Sequence, residues 1–130
     1  MTNTASLHAL ALVAARAASA KKGTDTVVLD VGPVLAITDA FVITSGSNPR
    51  LVRTIADEIE QQVKDAGGSA PLRTEGLDDA RWVLLDYGEF VVHIFLDEAR
   101  EYYDLDRLWS DAPVLARDDA SGELAAAALA

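Results

Sequence analysis

The chain contains no cysteine. That single absence excludes disulfide frameworks, zinc knuckles and thiol catalysis, and it fits the reducing cytoplasm where the chain is expected to reside. Long apolar runs are missing too. Half of the 130 residues are hydrophobic, yet no uninterrupted stretch approaches the ~20 residues that a membrane span needs. Basic residues are scarce: 11 Lys and Arg stand against 21 Asp and Glu, a formal net charge of −10. Nucleic-acid binders carry a basic patch or stripe, and here only Lys21/Lys22 and Arg50/Arg53 cluster. Direct nucleic-acid binding is disfavoured, whereas a basic protein partner would suit such a surface. There is no Walker loop, no dinucleotide fingerprint and no His/Cys set at metal-ligand spacing.

What is present reads as one domain. Leu7 to Ala20 is alanine-rich and carries Arg16, with no basic region before it. It is expected to be an amphipathic first helix over about residues 6–22 rather than a targeting peptide, with Ser6 as N-cap and Gly23 closing it. Thr26 to Val31 reads as a strand, broken by Gly32-Pro33. Ala40 to Thr44 is a continuous apolar run, as expected of a strand covered on both faces. The short connection favours an antiparallel pair.

Ser45 to Pro49 then opens a helix. Asn48 is its N-cap, Pro49 its first residue, and Val52, Ile55, Ala56, Ile59 and Val63 form its apolar face. Gly67-Gly68 ends it. A short strand at 72–74 follows, then Arg81 to Asp86 and Phe90 to Leu96, an antiparallel hairpin about the Tyr87-Gly88-Glu89 turn. Residues 97–109 read as one helical segment. The fold class is therefore α/β, with a mixed five-stranded sheet flanked by helices. Residues 1–112 form the domain, and the acidic, alanine-rich remainder, 113–130, is expected to be a flexible tail.

Four constellations bear on chemistry. Gly46-Ser47-Asn48-Pro49-Arg50 has the form of an anion-binding strand-to-helix turn. A nucleotidyltransferase would follow it with paired metal-binding carboxylates, but Asp57, Glu58 and Glu60 lie inside the next helix and point different ways. Asp104-Leu105-Asp106 has a metal-like spacing, though in a helical region the two acids diverge and capping by Asp104 explains them better. His8 reads as a surface or helix-packing residue. His93 shares a strand face with Val91 and Phe95 and is expected to be hydrogen-bonded and half-buried rather than a base. The fourth is a surface. Glu75, Trp82, Asp86 and Glu89 gather near the hairpin, and Arg100, Tyr102, Tyr103 and Trp109 follow it. Aromatics and arginine anchor protein interfaces, but the same aromatics can be core, most simply Trp109 and Leu108.

Longer strings carry the reading further. Ile37 to Ile43, Ser45-Gly46-Ser47 and Arg50 to Ile59 resemble the first signature of the ribosomal silencing factor (Iojap) family. Glu75-Gly76 and Trp82 to Phe95 resemble the second; Arg100, Tyr102-Tyr103, Leu105 and Leu108-Trp109 resemble the closing motif. The resemblance covers roughly residues 5 to 110, and Asp111 to Ala130 departs from the shorter family pattern. It implies a nucleotidyltransferase-like fold without the catalytic acids, no enzymatic activity, no cofactor and no metal. It implies a homodimer that binds the large ribosomal subunit through a basic ribosomal protein at the inter-subunit face, blocks joining with the small subunit, and represses translation under nutrient limitation. Neither a membrane nor a specific nucleic-acid sequence is an implied partner. Matched by position, Glu75, Trp82, Asp86, Tyr102 and Tyr103 would belong to the partner-binding surface. The competing readings are a metal-dependent nucleotidyltransferase using Ser47, Asp39 and Asp104, and a general acidic adaptor.

Overall fold

In a computed structural model, residues 4–118 and 124–126 are described. Helix α1 (Thr4–Ala20) leads into β1 (Thr24–Asp30), a short helix α2 (Gly32–Leu35), β2 (Ala40–Gly46) and the long helix α3 (Pro49–Asp65). Strands β3 (Arg73–Glu75), β4 (Trp82–Asp86) and β5 (Phe90–Leu96) follow. Two short helices, α4 (Asp97–Tyr103) and α5 (Leu105–Leu108), precede β6 (Val114–Asp118) and β7 (Leu124–Ala126). The sheet runs β3-β4-β5-β2-β1-β6-β7. It is mixed: β2 and β5 are parallel, joined by the crossover through α3, and the other neighbours are antiparallel.

Alternation along the strands divides the sheet into two faces. Val28, Val42, Val92, Ile94, Val83 and Leu85 point to one of them and are fully buried. Helices α1 and α3 pack side by side over this face. The alanines of α1 (Ala11, Ala14, Ala15 and Ala18) have no exposed surface, so the helix lies close to the sheet. Gly23 shows how close: a Cβ there would meet Thr44 Oγ1 at 2.5 Å. In α3, Val52, Ile55, Ala56, Ile59 and Val63 are buried, as the periodicity predicts. The Asn48 side chain accepts a hydrogen bond from Leu51 N–H at 2.8 Å, an N-cap. Asn48→Ala is expected to lower stability by about 1 kcal/mol in a denaturant titration.

Several expectations need correction. The sheet has seven strands, not five. The chain beyond residue 112, expected to be a flexible tail, adds β6 along β1, pairing Val28 with Ala116. Composition hides this strand because its partners are main-chain groups on an otherwise open β1 edge, and because small Ala116 suits the space beside an alanine-rich helix. The parts of the tail at 119–123 and 127–130 lie outside the described residues. The single helix expected over 97–109 is two, because Asp104 takes a left-handed conformation (φ 52°) between α4 and α5, and its side chain makes no capping bond. Ser6, expected just ahead of the first helix, lies within α1, which begins at Thr4. Leu108 is not core: it is 75% exposed.

Candidate functional site

The other face of the sheet is only partly covered. Phe41, His93, Phe95 and Trp82 point to it from β2, β5 and β4, because Phe41 sits across from Val91, Leu84 from His93 and Trp82 from Phe95. Hydrophobic alternation thus puts an aromatic row where a helix layer would otherwise lie. Phe41 meets His93 edge-on at 4.6 Å and Trp109 edge-on at 5.3 Å. Trp82 stacks on Phe95 at 4.9 Å and tilts against Tyr103, also at 4.9 Å. Tyr103 in turn meets Tyr102 edge-on at 5.1 Å. Tyr102 is 78% exposed. The row therefore runs from the core to solvent and ends on α4.

His93 holds the row together. It is more buried than expected, and its Nδ1 accepts a hydrogen bond from Trp82 Nε1–H at 3.1 Å. Burial pushes its pKa down to about 4, so the ring is neutral at physiological pH. Below the row, Leu35, Ile37, Phe41, Leu72, Leu84 and Val91 help line a groove of about 330 Å³, floored in part by His93 and Thr38.

Of the five residues assigned to a partner surface, Trp82, Tyr102 and Tyr103 form one aromatic cluster. Asp86 and Glu75 form a second group, tied through Arg73 at 3.6 Å and 3.4 Å. Both groups flank β4. Asp86 has a structural duty as well, since its carboxylate accepts from Gly88 N–H at 2.8 Å and shapes the hairpin turn. Glu75 is the cleaner probe of surface charge. Glu89 is exposed beside the same turn.

Arg100 is placed differently from the surface role its position suggested. Only 13% of its side chain is exposed, and its guanidinium donates to Thr24 O, Asp25 O, Ser45 Oγ and both carboxylate oxygens of Asp106. For Asp106, burial acts to raise the pKa, but the hydrogen bonds and charge of Arg100 outweigh it and hold the carboxyl below its usual range. The residues of the nucleotidyltransferase reading are not brought together. Asp39 and Ser47 stand at opposite ends of β2, eight residues of extended chain and so roughly 25 Å apart. Among the described residues, no group of three or more acidic or histidine side chains is placed to hold a metal ion. No helix among them is long and apolar enough to cross a membrane.

Sequence reasoning missed the groove and the Trp82–His93 bond. A cue for the bond was available: once the hairpin turn is set at Tyr87 to Glu89, alternation puts both residues on one face. No cue joins Ile37 to Leu72.

Fold and face together define a class: a small α/β domain with one sheet face roofed by two helices and the other left as a part-uncovered aromatic surface. The chain matches the family model described as "Ribosomal silencing factor during starvation" over residues 4–129, and it belongs to that family. It is 41% identical over 102 residues to Ribosomal silencing factor RsfS of Bacillus subtilis, across 78% of this chain and 86% of that protein. It is 32% identical over 107 residues to the mouse protein named "Mitochondrial assembly of ribosomal large subunit protein 1", across 81% of this chain and 46% of that one. A crystal structure of a protein from Chromobacterium violaceum superposes with a TM-score of 0.76 at 30% identity, covering 80% of this chain and 86% of that chain. The family match extends past residue 110, into the segment expected to depart from the family pattern.

Proposed function

We propose that this chain docks on the large ribosomal subunit, through a basic ribosomal protein at the inter-subunit face, and sterically blocks joining with the small subunit. Translation would fall accordingly when nutrients are short. The observation that carries this reading is the part-uncovered aromatic face, ending in exposed Tyr102 and flanked by Glu75 and Asp86, on a chain of net charge −10. Aromatic anchors inside a charged rim suit a protein partner of opposite charge. The starvation role in the family's description and the large-subunit role in the mouse relative's name support the same partner. The action is occupancy of a surface, so it requires no catalysis, cofactor or metal. It takes place where ribosomes assemble, in the cytoplasm.

Subunit joining followed by light scattering tests this. Preincubating large subunits with the protein should block joining, and Glu75→Lys should weaken the block several-fold, more so at low salt, because a rim charge acts mainly on encounter. Undiminished joining at saturating protein would remove the reading. The same aromatic face can also take a second copy of the chain, so the free protein should dimerise and the dimer should compete with docking by mass action. Sedimentation with and without large subunits checks this, and a dimer that stays intact on the subunit would refute competition.

A further inference from the structure

One member of the small basic pair Arg50/Arg53 spends its donors on the chain itself. Arg53 lies early in α3, the helix that covers the sheet face opposite the aromatic row. Its guanidinium reaches the loop of residues 76–81. Nε–H donates to the Leu77 carbonyl at 3.0 Å, and an Nη2–H donates to the Asp78 carbonyl at 2.7 Å. Within the loop, Ala80 N–H donates to the Gly76 carbonyl at 2.9 Å and closes a turn. Both ends of that turn are left-handed, Gly76 at φ 85° and Ala80 at φ 53°. Alanine disfavours this conformation, so the turn depends on contacts from outside it. The two ends of the loop are Glu75, the last residue of β3, and Trp82, the first of β4. Each is held by the sheet ladder from one side only. Gly76 packs directly on Trp82, since a Cβ there would collide with the Trp82 carbonyl. Trp82 then pairs with Phe95 in the ladder and donates its indole N–H to His93.

We propose that Arg53 is a positioning residue: from α3 it clasps the 76–81 loop and so sets the indole of Trp82 and the carboxylate of Glu75 in the mutual placement that binding requires. A guanidinium suits this task, because donors on one edge of its planar fork serve two successive carbonyls at once. Without the clasp, the turn through Ala80 would sample other conformations and carry the loop-side ends of β3 and β4 with it. A surface that needs Glu75 and Trp82 together would then be competent only part of the time. Apparent affinity falls in proportion to that fraction. The effect on binding rests on the docking reading, whereas the effect on Trp82 is a property of the free chain.

Arg53→Met removes the donors, keeps the aliphatic stem and suits a helix. Arg53→Lys keeps the charge but offers a point donor in place of the fork. Two readouts are taken on the full-length chain. The first is the pair of indole N–H resonances in isotope-labelled protein, which has two tryptophans, with Trp82→Phe to assign them. The second is the affinity for purified large ribosomal subunits. In Arg53→Met the Trp82 resonance should move or broaden while that of Trp109 stays, and subunits should bind about fivefold more weakly. The thermal midpoint should change little, because the lost bonds are exposed. Arg53→Lys should recover part of both effects. If both resonances and the affinity stay at wild-type values, Arg53 positions nothing and the proposal falls. If the midpoint drops and both resonances shift together, the residue supports the fold at large, which also overturns it. A moved Trp82 resonance with undiminished subunit binding would show that the loop does not set the binding geometry, and overturns it too. If wild type itself does not bind large subunits, the docking reading fails separately, and the Trp82 resonance alone decides whether Arg53 positions the indole.

Discussion

Arg100→Met should destabilise the protein by about 1–3 kcal/mol, because it removes five charge-assisted hydrogen bonds from a largely buried guanidinium to acceptors that are part-buried or exposed. For a chain of this size the thermal midpoint should fall by on the order of 10 °C. Methionine keeps the aliphatic stem, so the loss isolates the guanidinium. That group joins three parts of the chain: the Thr24-Asp25 end of β1, Ser45 of β2 and Asp106 of α5. The β1 end is irregular, with a register shift between Thr24 and Val27 and Asp25 at φ 49°, so its carbonyls are not all engaged in the sheet ladder. Arg100 supplies donors there, and in doing so fixes α4, the helix that presents Tyr102 and Tyr103. Function should suffer along with stability: large-subunit binding should weaken even at temperatures where the variant is folded. Arg100→Lys should recover only a minor part, since an ammonium cannot reproduce the two-pronged contact with Asp106. A melting curve of Arg100→Met that overlays wild type would show that the guanidinium is not a structural tie.

The legibility of the fold follows from how far apart in sequence the causes lie. Helix α3 could be read directly, because its cap, its apolar stripe and its terminating glycines lie within 21 consecutive residues, 48 to 68. The β4–β5 hairpin and the doubly buried strand β2 were equally local. The break at Asp104 was not, since no proline or glycine marks it; what holds it is Arg100 drawing Asp106 back toward β1. Strand β6 was hidden for a related reason. A weakly apolar segment becomes a strand when a distant edge offers unpaired main-chain groups, and Asp118 strengthens the match by accepting from Thr26 N–H at 2.9 Å and Ser19 Oγ at 2.8 Å. In the site, the aromatic residues were visible as interface types, yet only the sheet register tells which of them touch. Arg100 is the instructive misplacement. Arginine next to two tyrosines has the composition of an interface, and the same residue serves here as an internal fastener that positions one.

Stability should fall as pH drops from about 6.5 to about 4, through His93. Burial holds the folded-state pKa near 4, whereas the unfolded chain titrates near the ordinary 6.5. Between those values the unfolded state binds a proton that the folded state refuses, so unfolding becomes easier as pH falls. The full effect is about 3 kcal/mol, reached near pH 4 and constant below it. Two other shifted carboxyls can be told apart from it. Asp106 has a folded pKa below its usual 3.8, so its stabilising contribution is present above that value and disappears only under more acidic conditions. Glu60, raised by burial and by Asp57, acts in the opposite direction, gaining stability as pH falls, and its exposure keeps that contribution small. His93→Gln isolates the effect. A glutamine carbonyl can still accept from Trp82 Nε1–H, so the aromatic row keeps its link while the titrating group is gone. Denaturant titrations at a series of pH values should show the wild-type slope between pH 6.5 and 4 and a nearly flat response in the variant over that window. Parallel curves would mean that His93 does not control it. The same burial that keeps the ring neutral keeps Nδ1 free to accept from Trp82 Nε1–H, so protonating His93 would also cost the aromatic row that bond.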